Sequence, residues 1–527
     1  MLTGTPASPG TAVGPVARLA PAPALPAAKP APGPDEHGAA LAALDEVVAE
    51  LEARAAGLTG ELRDIMDTQV MMARDPSVAA GIKAAVDRGE PAAWAVHEAF
   101  GVHLEALAAI GGYLGERVGD LADLRDRAVA VLLGLPKPGL PEGEEPYVLV
   151  AVDLAPADTV VLDPARVLAI ITEKGGPTSH TAIVARAMGI PAVVACAAAA
   201  ELVPGVRVIV DGSAGSVEVD PAEETVVAVR EAAQARAREL AAHTGPGRTA
   251  DDHPVALLLN IGSGDPGGSV DAEGVGLFRT EFLFLDRTQA PTYEEQRTAY
   301  GAVFAQYPGR PVTVRTLDAG ADKPLPFATA ADEPNPALGV RGYRTARRHP
   351  DLLKAQLDAI AAAAAEHTAK VRVMAPMIAT PDEAADFAAA ARAAGLTDVG
   401  VMIEIPAAAL RAPALLAEVD FASIGTNDLS QYTFAADRML GDLGDLLDPA
   451  QPALLTLVHM VARAGATVGK PVGICGEAAA DPGLAPVLAG LGVTSLSMSA
   501  PAVPAVRAAL RTRTFADCTD LAARALK

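Results

Sequence analysis

The sequence predicts a multidomain α/β protein whose C-terminal half is a (β/α)8 barrel. Three observations carry that prediction. From about residue 253 onward, short β-rich apolar runs alternate with helical stretches: VALLLNIG, GVGLF, VTVRTLD, VRVMAPM, VGVMIEIP, FASIGTNDL, VGICGE and TSLSMS. Eight alternations over about 260 residues fit a ring of parallel strands with outer helices. Upstream, residues 37–135 carry apolar side chains at three- and four-residue steps, the pattern of amphipathic helices. Between these two stretches, YVLVAVDL, VLAIIT, PAVVAC and VRVIVDG are strand-like runs separated by turns and one helical stretch, a small α/β domain.

Taken in order, residues 1–20 are short and strand-like. PAPALPAAKPAPGPDE (21–36) is an extended, semi-rigid linker of Pro and Ala. Four or so helices follow, packed as a bundle. Breaks are expected at Gly111-Gly112 and at Gly119-Asp120. PKPGLPEGEEP (136–146) is a second linker, so the bundle segment spans 21–146. The α/β domain occupies 147–220, and an inserted bundle would bring 1–20 back to it. Residues 221–250 read as a helical connector, and 251–527 as the barrel.

Of the 527 residues, half are hydrophobic and a fifth are charged, which excludes a wholly disordered chain. The net charge of −23 disfavours nucleic acid as a partner, because phosphate-backbone binding relies on basic surfaces. Anionic small molecules remain admissible at local basic pockets. Cys196, Cys475 and Cys518 form no CxxC pair and suit a reducing compartment. The N-terminus lacks a basic region followed by an apolar one, and no apolar run reaches membrane length. The mean hydropathy of +0.26 reflects alanine-rich stretches such as 361–366. The expectation is a cytoplasmic protein without membrane insertion.

Two constellations carry chemistry. In GGPTSHTAIVARAMGIPAVV (175–194), Gly175 and Gly176 permit a tight turn, and Thr178 and Ser179 can cap a helix starting near His180. A helix N-terminus favours an anion and disfavours imidazolium, which suits a histidine that accepts a phosphoryl group. The other reading is a capping motif with an incidental histidine. In the barrel, Arg279 and Arg315 close strand-like runs and suit a substrate bearing phosphate and carboxylate. Glu404 and Asp428 offer hard oxygen donors and, with Asn427, suit Mg²⁺. Arg438 adds a further phosphate contact. Taken singly, each of these charges reads best as a surface salt bridge. Cys475, after another run, is either a small buried core residue or a thiol acid beside substrate. Cys196 and Cys518 read as structural, and the other histidines show no metal-ligand spacing.

In this order, GGPTSHTAIVAR, GVGLFRTEFLF, VRTLDAGADKPLP, VMIEIPAAA, SIGTNDLSQYT and GICGE resemble enzyme I of the phosphoenolpyruvate-dependent sugar phosphotransferase system. The resemblance covers nearly the whole chain. It implies a swivelling phosphohistidine α/β domain with an inserted helical bundle, and a phosphoenolpyruvate/pyruvate-binding barrel. By motif, His180 would be phosphorylated, and Thr159 would hydrogen-bond it. Arg279, Arg315, Asn427, Asp428 and Arg438 would bind phosphoenolpyruvate. Glu404 and Asp428 would ligate Mg²⁺, and Cys475 would protonate the pyruvate enolate. Lys323 and Arg341 lie in further family-like stretches. The implied partners are the phosphocarrier protein HPr, recognised by the bundle around Met71 and Met72 with Asp67 and Asp75, and a second copy in a homodimer through the barrel. Pro177 stands where the family more often has Arg. The alternatives are a phosphoenolpyruvate- or pyruvate-converting enzyme without a carrier, and a catalytically silent regulatory homologue.

Overall fold

A computed structural model describes the chain apart from residues 20–21, 56–68, 111, 142–144, 155–157, 159–161, 177–178, 263–269, 285–286, 288, 321–324, 330–332, 334, 438–442 and 445. The chain forms two compact units, Met1–Ala233 and Gln234–Lys527.

The first unit is organised by an eight-stranded mixed sheet. Its strands are β1 (Leu2–Thr3), β2 (Thr5–Ser8), β3 (Thr11–Arg18), β4 (Tyr147–Ala151), β5 (Val167–Thr172), β6 (Ala192–Val194), β7 (Arg207–Asp211) and β8 (Ser216–Val219). Their spatial order is β1-β8-β7-β3-β4-β5-β6-β2. The central strands β3 to β6 are parallel, with Val16 opposite Val148 and Ile170 opposite Ala192. The outer pairs β1–β8, β7–β8, β3–β7 and β2–β6 are antiparallel. Parallel neighbours cannot be joined by a hairpin. The β3-to-β4 link instead carries helices Glu36–Ala55, Pro76–Asp87, Ala92–Ile110 and Gly112–Leu133.

Those helices bury one apolar stripe each, bringing Leu44, Val47, Val48, Ile82, Val96, Phe100 and Leu124 into one core. Asp75 caps Pro76–Asp87 by accepting from the Ser77 N–H at 2.7 Å, with proline at the first helical position. One expectation fails here. Gly119-Asp120 does not break the chain, because helix Gly112–Leu133 runs through it. A mid-helix glycine costs about 1 kcal/mol, and the buried Leu121, Leu124, Ala128 and Val129 further along the helix outweigh that. The sheet is covered on both faces, as β4 shows by burying all five residues. Leu149 and Ile170 pack under Ala182 and Ala185, while Val148, Val150 and Ile171 face Val208 and Val210.

The second unit is a closed barrel of eight parallel strands: β9 (Ala256–Ile261), β10 (Val275–Phe278), β11 (Pro311–Arg315), β12 (Lys370–Ala375), β13 (Val399–Ile403), β14 (Phe421–Ile424), β15 (Val472–Ile474) and β16 (Ser495–Met498). Each of the eight apolar runs supplies one strand. The ring closes where Leu496 and Met498 of β16 pair with Leu257 and Leu259 of β9. The strand faces turned to the outer helices join one continuous core. Leu277, Met374, Met402, Phe421 and Cys475 form a separate buried cluster. Among the described residues, no helix is long and apolar enough to cross a membrane.

Candidate active site

The histidine motif folds as its local chemistry dictates. Gly175 adopts φ +93°, a value that favours glycine, and lets the chain turn sharply out of β5. His180 then opens helix His180–Met188, and Ser179 caps it by accepting from the Ala182 N–H at 3.3 Å. Gly189, at φ +69°, closes the helix in the left-handed conformation. Thr181 donates to Asp153 Oδ1 at 3.1 Å, and Arg186 donates to the Ala7 carbonyl at 2.7 Å. These bonds tie the helix start to the segment after β4 and its last turn to β2. His180 thus occupies the first turn, where backbone N–H groups lack intrahelical acceptors.

At the C-terminal mouth of the barrel, buried charges of alternating sign form a chain. Arg315, the last residue of β11, donates to Glu281 Oε1 at 2.8 Å and pairs with Asp318 Oδ2 at 3.0 Å. Glu281 Oε1 also accepts from the Asp318 N–H at 3.1 Å. Asp318 in turn accepts from Arg341 Nε and Nη2, both at 3.4 Å. Arg341 reaches Asp428 Oδ1 at 3.3 Å. All five side chains are buried, so each charge requires its counter-charge to offset desolvation. Burial opposes the Arg315 charge, but Glu281, Asp318 and Glu404 outweigh it and hold the guanidinium firmly protonated. Arg279, just past β10, has a side chain that reaches solvent, while burial and the neighbouring Arg315 charge draw its guanidinium below the usual arginine range.

Glu404 follows β13 and is 1% exposed. Its Oε1 accepts from the Met377 N–H at 2.6 Å, while its Oε2 has no hydrogen-bond partner among the described residues. Burial, then the charges of Asp428 and Asp318, push its carboxyl up to about 8. The mouth is therefore short of positive charge beside Glu404. Cys475 lies just past β15, with its thiol donating to the Ile424 carbonyl at 3.6 Å. Burial pushes that thiol up to about 11, so it keeps its proton at neutral pH. Asn427 exchanges two hydrogen bonds with Glu477: its Nδ2 donates to Oε1 at 3.2 Å, and its Oδ1 accepts from the Glu477 N–H at 2.9 Å.

Three family models cover the chain: PEP-utilising enzyme, N-terminal (residues 3–117); PEP-utilising enzyme, mobile domain (143–215); and PEP-utilising enzyme, PEP-binding domain (236–515). A phosphoenolpyruvate-protein phosphotransferase of Streptomyces coelicolor is 53% identical, covering 99% of this chain and 96% of its own length. The chain belongs to the phosphoenolpyruvate-protein phosphotransferase family. A Haloferax volcanii protein of the same name is 41% identical over 93% of this chain and 89% of its own. One from Priestia megaterium is 39% identical over 90% and 87%.

Within this phosphotransferase, the residues singled out from the sequence fall into groups. Arg315, Arg341, Asp428 and Glu404 come together at the barrel mouth, and Cys475 lies inside the barrel at the same end. Arg279 directly follows the adjacent strand β10. Asn427 and Asp428 sit in the first turn of helix Thr426–Phe434, not at a strand end, because the strand stops at Ile424 and Gly425 turns the chain. His180 lies in the other unit. Thr159, Lys323, Arg438, Asp67, Pro177 and Thr178 fall outside the described residues. Met71 is 68% exposed, whereas Met72 packs partly into the bundle core. Glu281 and Asp318 were missed. Both follow a strand-end arginine by two or three residues, and a buried arginine's need for a carboxylate is the signal that points to them.

Proposed function

We propose that this chain takes the phosphoryl group of phosphoenolpyruvate onto His180 and passes it to a histidine of the phosphocarrier HPr, the first step of sugar import by the phosphotransferase system. The observation that carries this reading is the buried chain Glu281–Arg315–Asp318–Arg341–Asp428 at the barrel mouth. It holds two guanidinium groups in place before substrate arrives, and preorganised charge is what stabilises a phosphoryl group in transfer.

Arg315 and Arg341, with Arg279 at the rim, bind and orient the phosphate and carboxylate of phosphoenolpyruvate. By the family resemblance, Asn427, Asp428 and Arg438 also bind phosphoenolpyruvate, and Lys323 is a second-rank candidate. Glu404 and Asp428 fit Mg²⁺: both are hard oxygen donors, and the unbonded Oε2 of Glu404 sits where negative charge is in excess. Glu404 and Asp428 would hold the ion, which commonly takes one or two protein carboxylates together with substrate oxygens and water. The ion, when bound, draws charge from the oxygens of the transferring group. His180 attacks phosphorus, the P–O bond to the enol oxygen breaks, and pyruvate leaves as its enolate. Cys475, which keeps its proton at neutral pH, delivers that proton to the enolate carbon. The helix start around His180 then holds the phosphoramidate until the carrier takes it, with Thr159 as a hydrogen-bond partner. One imidazole serving two reactions must visit two sites in turn. The bundle around Met71 is the carrier-docking surface on this reading. The chain works in the cytoplasm as a homodimer through its barrel.

The test is pyruvate stoichiometry. With phosphoenolpyruvate and Mg²⁺ alone, release stops near one pyruvate per chain; adding HPr raises it in proportion to HPr. Continued release without any carrier would overturn the reading.

A further inference from the structure

Glu404 presents its two carboxylate oxygens to different surroundings. Oε1 accepts the Met377 N–H at 2.6 Å. Oε2 is buried and receives no hydrogen bond among the described residues. Two features of the neighbouring backbone produce that asymmetry. Met377 holds φ +57°, a region that L side chains rarely adopt. Its side chain is 1% exposed and lies against Gly342, where a Cβ would come within 2.8 Å of Met377 Cγ and 2.9 Å of its Cβ. The strained turn therefore persists because packing fixes it, and it aims one N–H at one oxygen.

Gly425 supplies the second feature. Its φ of −88° and ψ of 85° do not require glycine. What requires glycine is space. A Cβ at this position would stand 2.9 Å from Glu404 Oε2, 3.1 Å from Glu404 Cβ and 3.2 Å from Met402 Sδ. The first contact is with the very oxygen that lacks a partner.

We propose that Met377 and Gly425 are positioning residues for Glu404: the peptide of one fixes Oε1, and the missing Cβ of the other keeps open the space that Oε2 faces. Oε2 is thereby the atom offered to a divalent cation. This rests on the reading of Glu404 as a cation ligand.

The experiment titrates Mn²⁺ into the full-length protein without phosphoenolpyruvate, follows binding by electron paramagnetic resonance, and records thermal unfolding in parallel. Gly425→Ala weakens Mn²⁺ binding by about tenfold or more, the scale seen when ligand-orienting neighbours change, while the melting temperature stays near the parent's. Met377→Gly loses the buried packing that fixes the turn, so the melting temperature falls and, with the N–H no longer held on Oε1, Mn²⁺ affinity drops several-fold; an affinity equal to the parent's would remove Met377 from the positioning pair. Met402→Ala placed on Gly425→Ala removes the sulfur contact and recovers part of the lost affinity; it also gives a reading, against Met402→Ala alone, should the single variant not fold. If the parent binds Mn²⁺ and Gly425→Ala binds it equally well, the positioning role is wrong. If the parent binds no Mn²⁺, or Glu404→Gln binds as the parent does, the cation reading itself falls.

Discussion

The helix that begins at His180 and the mouth of the barrel are built in opposite ways. The helix takes its turns and caps locally: Gly175, Ser179, His180 and Gly189 lie within fifteen residues and Ser179 bonds the Ala182 N–H, while Thr181 and Arg186 only add anchors to Asp153 and Ala7. The mouth is assembled from afar. Arg315 needs Glu281, 34 residues away, and Glu404 needs Met377, 27 residues away. The comparison teaches where each site is fragile. A local site tolerates loss of one cap, because other bonds at the same helix end remain. A distributed site of buried charges does not tolerate loss of one partner, because the charge left behind is stranded.

The sharpest way to break this contrast is Arg315→Met. It leaves Glu281 and Asp318 buried without their shared cation, and pyruvate release should fall by about 10²–10³-fold, as when one preorganised donor is removed. Steady-state release with HPr present measures it, and a drop of less than threefold would remove Arg315 from the mouth's working parts.

Next in size is a pH effect at Glu404. Its carboxyl is raised to about 8 from 4.5, so the folded state binds the proton more tightly than the unfolded state. Glu404's own contribution to barrel stability is then full below about pH 4.5 and is lost as pH rises towards 8. In metal-free buffer the parent's melting temperature should decline relative to that of Glu404→Gln over this window, and Mg²⁺ should restore it most at the alkaline end. Parallel curves for the two proteins would contradict the charge excess.

A smaller effect tests how far the mouth's scaffold extends. Gln356, on helix Pro350–Glu366, accepts from the Leu317 N–H at 2.9 Å and donates to Thr280 Oγ1 at 3.1 Å and Tyr300 Oη at 3.0 Å. Thr280 in turn donates to the Arg315 carbonyl at 2.9 Å. Gln356→Leu strands several buried polar groups and should cost about 1–3 kcal/mol in denaturant unfolding, with KM for phosphoenolpyruvate raised. The smallest change is expected at the local site. Ser179→Ala removes one cap and should cost about 1 kcal/mol, read as faster hydrogen exchange in helix His180–Met188 with pyruvate release little altered.

The same contrast explains what was legible in the sequence. The eight barrel strands could be read because each is a short, mostly apolar run set off by polar residues or turns. The histidine helix could be read because its glycines and cap are contiguous. Arg315 and Glu404 stood out as charges at the ends of apolar runs. Glu281 did not, since its pairing with Arg315 depends on how neighbouring strands register, and Asp318 did not, since only burial of Arg315 three residues before it turns a loop carboxylate into a required partner. Gln356 and Tyr300 come from outer helices, where a polar residue looks like any solvated position until the barrel closes over it. The strained Met377 was invisible for the same reason: nothing in PMIAT marks a left-handed residue, and only packing against Gly342 imposes it. Gly119-Asp120 misled in the other direction, because local propensity there is overridden by burial further along the helix.

The most direct test of the phosphorelay is where the phosphate lands. The protein is incubated with phosphoenolpyruvate and Mg²⁺ and digested at alkaline pH, and the peptides are mapped by mass spectrometry. One acid-labile phosphate on the peptide containing His180, absent from His180→Ala, is the predicted result. Labelling of His180→Ala to the parent's extent, or a phosphate on any other residue of the parent, would contradict it.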